Sequence, residues 1–574
     1  MKSAVRNICL ALLLAVAFGA FTHRYKSFES SNELSRLYLA FAIAEEGEVY
    51  IDNIMEKWGD ITDKSQYNGR YYSDKAPGTS FIALPAVLLI RALSAGTGLF
   101  FARDDALSFT RVVTVILPSI FFLLYLLGVL DGSPLKKITN DERCITAGVL
   151  VYVFATPAWV YSTLLYGHQL SAMAGFTAYL LLRLTREEED ASSNLRFFVA
   201  GILIGLCPLI EYPCAWISAC LVFYVLRGKA GKNPFFWVGL VLPLIAMGAY
   251  HKIAFGSPLA TGYSFKVYGR DADFHKGVLW GIGLPSFETL RGIMVSRKRG
   301  LFFYSPVLLA VLPGFVRMAR LPHFRKDFLL CVAVLVGHTF IIAGFKDWTA
   351  GWSFGARHLV PMLPFLILPL IIVFEKGSMP EKIAISVLSA ISVVNHLLAI
   401  ATFVHVPVQL DNPITDLFIP LIKAANVGPM LGNIRGTPVI VMMVLLALVI
   451  IITINSLIIK INSDKIKIFY LAVSLICALG WVSFFVAMKP QENDDKHFVM
   501  SQVYSAVGDI ESAKKELNPM TLPFKPRDLR IYGAYTLWKI AEEEGDVKSA
   551  LLWRRLYMRL RGVSDDNLKE EGAP

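Results

Sequence analysis

The stretch Thr79-Ser80-Phe81-Ile82-Ala83-Leu84-Pro85-Ala86-Val87-Leu88-Leu89-Ile90-Arg91-Ala92-Leu93-Ser94-Ala95-Gly96-Thr97-Gly98-Leu99 is apolar and long enough to cross a bilayer. Its reading fixes the side of every loop that follows. Outside it, apolar blocks fall near 6–22, 110–130, 144–162, 168–186, 197–210, 212–227, 235–254, 301–317, 327–345, 358–374, 383–402, 437–458 and 468–488. These predict an all-α integral membrane protein, a polytopic bundle of about thirteen transmembrane helices. If 79–99 does not cross, one side receives Lys136, Lys137 and Arg143; Arg183, Arg186 and Arg196; Arg227, Lys229 and Lys232. The same side then receives Arg317, Arg320, Arg325 and Lys326; Lys376 and Lys382; and Lys460, Lys465 and Lys467. Basic short loops belong in the cytoplasm. Counting 79–99 as a crossing puts them outside, so this segment, with its Pro85, Arg91 and Gly96, is expected to be interfacial or re-entrant.

Composition agrees with a membrane bundle: of 574 residues, 55% are hydrophobic and 18% charged, against about 25% charged in soluble domains. The net charge of +11 does not point to nucleic acid, because the basic residues gather at helix ends as cytoplasmic anchors do. The seven cysteines lie mostly inside apolar blocks, with no metal-ligand spacing and no disulfide framework. The start, Lys2 and Arg6 before an apolar run to Phe21, resembles a signal peptide, but further spans follow and no small-residue cleavage site does. It is read as a retained first helix with a cytoplasmic N-terminus in a multi-pass protein.

The outer side then holds loops at 23–109, 255–300, 346–357 and 403–436, and the tail from 489. The chain divides into a membrane domain, 1–488, and an outer helical tail, 489–574. In the tail, Gly508-Asp509-Ile510-Glu511-Ser512-Ala513 recurs as Gly545-Asp546-Val547-Lys548-Ser549-Ala550. A helix–turn–helix unit with Gly at the turn looks like a tetratricopeptide (TPR) repeat. Either a small helical cap on the membrane domain or a module that docks a protein partner fits this pattern.

Charged residues at the mouths of apolar helices are costly and mark function. In Ser31-Asn32-Glu33-Leu34-Ser35-Arg36, Glu33 and Arg36 share a helix face. Tyr71-Tyr72-Ser73-Asp74-Lys75-Ala76-Pro77-Gly78 puts a lysine just before the segment at 79–99, where it can hold a lipid phosphate. Asp347-Trp348-Thr349-Ala350-Gly351-Trp352-Ser353-Phe354-Gly355-Ala356-Arg357-His358 opens a helix on the outer side with an arginine that cytoplasmic anchoring does not explain. A guanidinium grips phosphate bidentately. Arg297 and Arg299 break the charge rule on the outer side, and phosphate binding accounts for them. His168 at a helix start and Glu211 between Pro208 and Pro213 are further candidates to position a substrate. No P-loop, His-Glu-x-x-His or nucleophile elbow appears.

At these residues the chain resembles the integral-membrane glycosyltransferases of the GT-C class, among them bacterial aminoarabinose transferases and protein O-mannosyltransferases. Their first outer loop carries Asp-Glu-x-Arg-Tyr and later Tyr-Phe-Glu-Lys-Pro-Pro. Aligning the arginines sets Glu33 on the family's essential aspartate and Arg36 on its arginine; Asp74 and Lys75 fall on the Glu-Lys pair, with Ala76 extra before Pro77. Gly351 to Arg357 is similar to a Gly-x-Ser-x-Gly-x-Arg stretch of bacterial members, and Gly256-Ser257-Pro258, Gly262-Tyr263, Arg299-Gly300 and Tyr304-Ser305-Pro306 also look familiar.

The resemblance implies a sugar carried on polyprenyl phosphate and transferred to a lipid, glycan or protein at the outer face of a bacterial inner membrane. Glu33 would be the catalytic base or position the acceptor hydroxyl. Arg36, Asp74, His168 and Glu211 would position donor and acceptor. Lys75, Arg357, Arg297 and Arg299 would bind phosphate. An outer-loop divalent metal is left open, with no ligand set to hold it. A transporter or flippase of lipid-linked glycans is the rival reading, although no internal duplication is visible.

Overall fold

The computed structural model describes residues 2–20, 30–128, 133–185, 193–226, 228–267, 282–425, 437–459, 464–488, 494–523 and 525–561. After α1 (Lys2–Gly19) the chain makes an excursion: α2 (Ser31–Glu46), α3 (Asp52–Trp58), strands β1 (Lys64–Tyr67) and β2 (Arg70–Ser73), α4 (Gly78–Thr97) and α5 (Arg103–Arg111). A π-helical turn at Val112–Ile116 leads into α6 (Leu117–Leu127). The bundle continues with α7 (Glu142–Phe154), α8 (Gly167–Thr185), α9 (Ser193–Ile210), α10 (Ala215–Val225), α11 (Pro234–Phe255) and α12 (Arg325–Ala343). A 3-10 helix, Arg357–Leu366, runs into α13 (Ile367–Lys376), and α14 (Met379–Ala401), α15 (Thr437–Ile458) and α16 (Asp464–Ala487) complete it.

Among the described residues, eight helices are long and apolar enough to cross a membrane, Gly78–Thr97 among them, and four more apolar helices are shorter. Helix length alone therefore does not reproduce the thirteen spans expected from the sequence. The 144–162 block breaks after Phe154, where Pro157 cannot continue the ladder. The 110–130 block joins α5 into one run, Arg103–Leu127. The small residues of α9 and α11 let two helices touch backbone to backbone: a Cβ on Gly201, Gly205 or Gly239 would collide with the facing main chain.

The excursion is folded by local signals. Asn68 and Gly69 both take positive φ, 47° and 79°, the turn that a two-residue hairpin favours. The register pairs Lys64 with Ser73, which sets Asp63 beside Asp74 and Lys75. Helix α4 runs parallel to α2: the Ser80 hydroxyl donates to Arg36 O (2.9 Å), and farther along the Arg91 guanidinium donates to Ala44 O. The far end of α2 carries exposed Glu45 and Glu46, with Glu48 just beyond. Arg103 then donates to Trp58 O (3.0 Å), returning the chain to α3.

The bundle has two polar ends. At one, Arg6 and Lys136 both meet Glu142 (2.9 and 2.8 Å), the Thr139 hydroxyl donates to Glu375 (3.1 Å) and Arg317 pairs with Glu381 (2.7 Å). These loops are the ones the lysine and arginine pattern puts on a common side. At the other end, Trp159 Nε1 donates to Ala17 O (3.2 Å), and the excursion covers the helix mouths.

Beyond α16 come two helical hairpins, α17 (Asp494–Val507) with α18 (Ile510–Leu517), and α19 (Arg527–Glu543) with α20 (Val547–Arg561). The hexapeptide repeat is a turn-and-cap device. Gly508 and Gly545 take left-handed φ, 82° and 72°. Asp509 and Asp546 then accept from the N–H of Ser512 (3.0 Å) and Ser549 (3.2 Å), an N-cap in each copy. Val499, Met500 and Val503 belong to the same continuous apolar core as the membrane helices.

Candidate active site

Opposite the basic loops lies a cavity of about 430 Å³, formed by the excursion, the turns before α8 and α10, and the 262–266, 345–358 and 405 segments. Lys75, Lys266 and Arg357 bring three cations to its wall, and Asp63 and Asp347 bring two carboxylates. Aromatic surface comes from Tyr166, Tyr263 and Trp352.

The cations cluster. Lys75 Nζ lies 2.7 Å from Asp63 and 3.1 Å from Asp74, and Lys266 Nζ lies 3.2 Å from Asp74. Asp74 is fully buried behind the two lysines and does not line the cavity, whereas Asp63 does. Burial pushes the Asp63 carboxyl up, but Lys75, Lys266 and Arg357 outweigh it and hold the group well below the usual carboxylate range. The 262–266 turn sits on the Asp74 backbone: the Ser65 hydroxyl donates to Gly262 O (2.6 Å), and a Cβ on Gly262 would lie 2.8 Å from Asp74 Cα. The Arg357 guanidinium rests over the Tyr166 ring at 5.2 Å, and its buried Nε finds no hydrogen-bond partner among the described residues. An orphaned donor of this kind, in a wall shared with two lysines, suits a ligand oxyanion.

Glu33 has a different setting. It is fully buried and absent from the cavity wall. Arg111 grips both its oxygens (2.8 and 2.5 Å), and the Leu165 N–H donates to it (2.6 Å). Burial raises its pKa, but Arg111 first, then His405 and the Leu165 N–H, bring it below the ordinary glutamate value. His405 lines the cavity with Nε2 3.7 Å from Glu33, and burial takes its imidazole down to about 4 despite that carboxylate. The oxygens of Glu33 serve Arg111 and the turn before α8, and the carboxyl does not face the cavity.

Arg36 is likewise committed. It donates to Glu211 (2.7 Å) and to Asn32 O (2.8 Å), and neither Arg36 nor Glu211 lines the cavity. Gly167 makes room for this pair, since a Cβ there would lie 2.5 Å from Glu211. His168 is 3.7 Å from Glu211 and packs edge-on against His358, which does face the cavity.

Arg299 and Arg297 do not line the cavity. Arg299 is buried and donates to Thr349 O (3.0 Å), Gly351 O (2.9 Å) and Val406 O (3.1 Å). It staples the loop that carries Asp347 and Arg357 to the one that carries His405, and burial lowers its pKa to about 10. In the stapled loop Ala350, Gly351 and Gly355 all take positive φ, strained for the alanine. Arg297 is exposed and away from the cavity wall. Its charge and that of Lys298, which pairs with Asp411 (2.9 Å), face outward.

Of the sequence candidates, the cavity gathers Lys75 and Arg357 on its wall and sets Asp74 directly behind. Asp63, Lys266, His405 and Arg111 were missed. The Asn68-Gly69 hairpin signal could have found Asp63, because a two-residue turn fixes its register beside Asp74 and Lys75. Lys266 follows the Gly262-Tyr263 pair already singled out. Arg111 and His405 are single residues far from any motif. Among the described residues no cluster of three or more His, Cys, Asp or Glu is arranged to hold a metal.

No protein-family profile and no curated protein matches the chain. Among solved structures it is similar to ArnT from Cupriavidus metallidurans bound to undecaprenyl phosphate. Identity is 13%, covering 92% of this chain and 81% of that one, with a TM-score of 0.49. It is also similar to the archaeal oligosaccharyltransferase AglB from Archaeoglobus fulgidus in complex with an inhibitory peptide and a dolichol-phosphate. There identity is 11%, covering 89% of this chain and 58% of that one, with a TM-score of 0.42. Both are glycosyltransferases of the GT-C class, the class that the outer-loop motifs resemble. Both TM-scores lie below 0.5, so the functional reading is built on the residues of the cavity.

Proposed function

We propose that this chain is a membrane glycosyltransferase that takes a sugar from a polyprenyl-phosphate donor at the extracytoplasmic face. The observation that carries the reading is the meeting of Lys75, Lys266 and Arg357 around Asp63 in one cavity at the end of the bundle away from the basic loops. In the reaction the bond from the anomeric carbon to the phosphate oxygen breaks, and its electron pair leaves with the lipid phosphate. Lys75, Lys266 and Arg357 stabilise the charge growing there. The acceptor hydroxyl oxygen bonds to the anomeric carbon, and its proton passes to Asp63, which we assign as base in place of Glu33. Lys75, Lys266 and Arg357 keep Asp63 ionised across the neutral range, and it becomes a stronger base as those cations turn to the lipid phosphate.

Sidedness rests on two observations. The basic loops cluster at the opposite end, as cytoplasmic loops do. Helix α4 ends beside the exposed acids of α2, which favours an interfacial helix over a crossing one. With α4 at the interface, the thirteen apolar stretches alternate so that the N-terminus is cytoplasmic and the tail outside.

The test is release of undecaprenyl phosphate from a panel of polyprenyl-phosphate sugars, with the protein in lipid nanodiscs and envelope lipids, glycans and peptides as acceptors. Sugar-dependent release that Asp63→Asn abolishes supports the reading. Movement of the intact lipid between leaflets of a vesicle, with no sugar transferred, overturns it in favour of a flippase.

A further inference from the structure

Helix α20 is the last described helix, and its composition is one-sided. Its fifteen residues include Lys548, Arg554, Arg555, Arg559 and Arg561 and no acid. One face is used for packing on α19: Ala550 and Leu560 are buried, and Trp553 and Tyr557 are half-buried on the same side. At 100° per residue the opposite face presents Leu551 and Leu552, exposed by 40% and 61%, interleaved with Lys548, Arg555 and Arg559.

On the packing side α19 sets Tyr535 and Trp538 against α20. Tyr557 lies 5.3 Å from the Tyr535 ring and 5.7 Å from that of Trp538, and the Arg554 guanidinium lies 5.7 Å over Trp538. Exposed aliphatic groups and basic side chains on one helix surface are what a helix lying on lipid headgroups needs. The position allows it. The transmembrane helix α16 ends at Ala487, α17 begins at Asp494, and α17 packs into the core of the membrane bundle. The tail is thus tethered within a short chain length of the bilayer surface.

We infer that the outward face of α20 docks on the anionic lipid surface of the membrane that the same chain spans. The occupant is a bilayer rather than a protein groove-binder because the face mixes aliphatic and basic side chains along one convex helix. Each basic group near an anionic surface adds attraction that falls off within a Debye length. The assignment is independent of the transferase reading, since it uses no residue of the cavity.

The test uses the full chain in nanodiscs of phosphatidylcholine alone or of phosphatidylcholine with phosphatidylglycerol, read by amide hydrogen exchange over 547–561. In anionic discs exchange across α20 should slow by about tenfold relative to neutral discs, the scale expected when several basic groups meet a charged surface. Raising salt should reverse it. The quadruple variant K548Q/R555Q/L551S/L552S alters exposed positions, so the protection of α19 around Leu537 and Ala541 reports whether the hairpin still folds. With α19 intact, the variant should exchange equally fast in both discs. Equal exchange of the wild-type helix in anionic and neutral discs overturns the proposal. So does protection that appears only on adding soluble envelope proteins, which would make the face a protein-docking site.

Discussion

Glu33–Arg111 and Asp63–Lys75 are both carboxylate–cation pairs in the excursion after the first helix, and they do opposite jobs. Glu33 and Arg111 are both buried away from the cavity, and every carboxylate oxygen has a donor. Asp63 is half-buried, opens on the cavity, and shares Lys75 with a second acid. A sealed pair fixes structure, because removing one member strands the other charge in a low-dielectric interior. A pair that faces a cavity can exchange partners with a ligand. Access, more than charge or sequence position, separates the scaffold from the chemistry.

The sharpest way to break this comparison is Glu33→Gln. It leaves Arg111 buried without its countercharge, and the expected loss is about 3–5 kcal/mol of stability, seen as a large fall in melting temperature in detergent. A variant that melts like wild type and loses only activity would return Glu33 to the chemistry. Asp63→Asn should behave in the reverse way. Transfer should drop by about two orders of magnitude or more, while binding of undecaprenyl phosphate, measured by native mass spectrometry, holds or tightens because a negative charge leaves the cavity.

Arg357→Gln should come next. Losing one charge-assisted bond to phosphate, about 1.5–3 kcal/mol, predicts at least tenfold weaker binding of undecaprenyl phosphate with little change in melting temperature. Arg299→Gln offers a contrast on the same wall. It should weaken binding only through disorder of the 347–357 loop, visible as faster hydrogen exchange there, which Arg357→Gln should not produce.

The smallest effect is in pH. The folded pKa of Asp63 is depressed, so its pairing stabilises fully above the ordinary aspartate value of about 4 and fades as pH falls through the lower folded value. The gap in melting temperature between wild type and Asp63→Asn should therefore hold from neutral pH down to about 5 and shrink below about 4. A gap that widens with acid would mean that the folded pKa of Asp63 is raised above the ordinary value rather than depressed.

The bundle could be read from the chain because a membrane span needs a run of apolar residues, and such runs are contiguous by definition. The two polar ends could be read because lysine and arginine counts mark the cytoplasmic loops. Lys75 and Arg357 were found because each sits at the mouth of an apolar segment, where a charge has few idle uses. The turn-and-cap repeat of the tail was also plain, since Gly and Asp act within a few residues of themselves.

What the tertiary structure alone decided is which charges face empty space. Glu33 has the family-like position, yet Arg111, 78 residues on, and the Leu165 N–H, 132 residues on, close over it. Arg299 was expected to meet phosphate and instead binds three backbone carbonyls of loops that are remote in sequence. Asp63 and Lys266 enter the site through a hairpin register and a turn packed on Asp74. Hydropathy and charge are sums over neighbours in the chain, so they mark where apolar helices lie and where basic loops gather. Solvent access depends on neighbours in space, so only the folded arrangement could divide one set of carboxylates into a sealed pair and one that opens on a cavity.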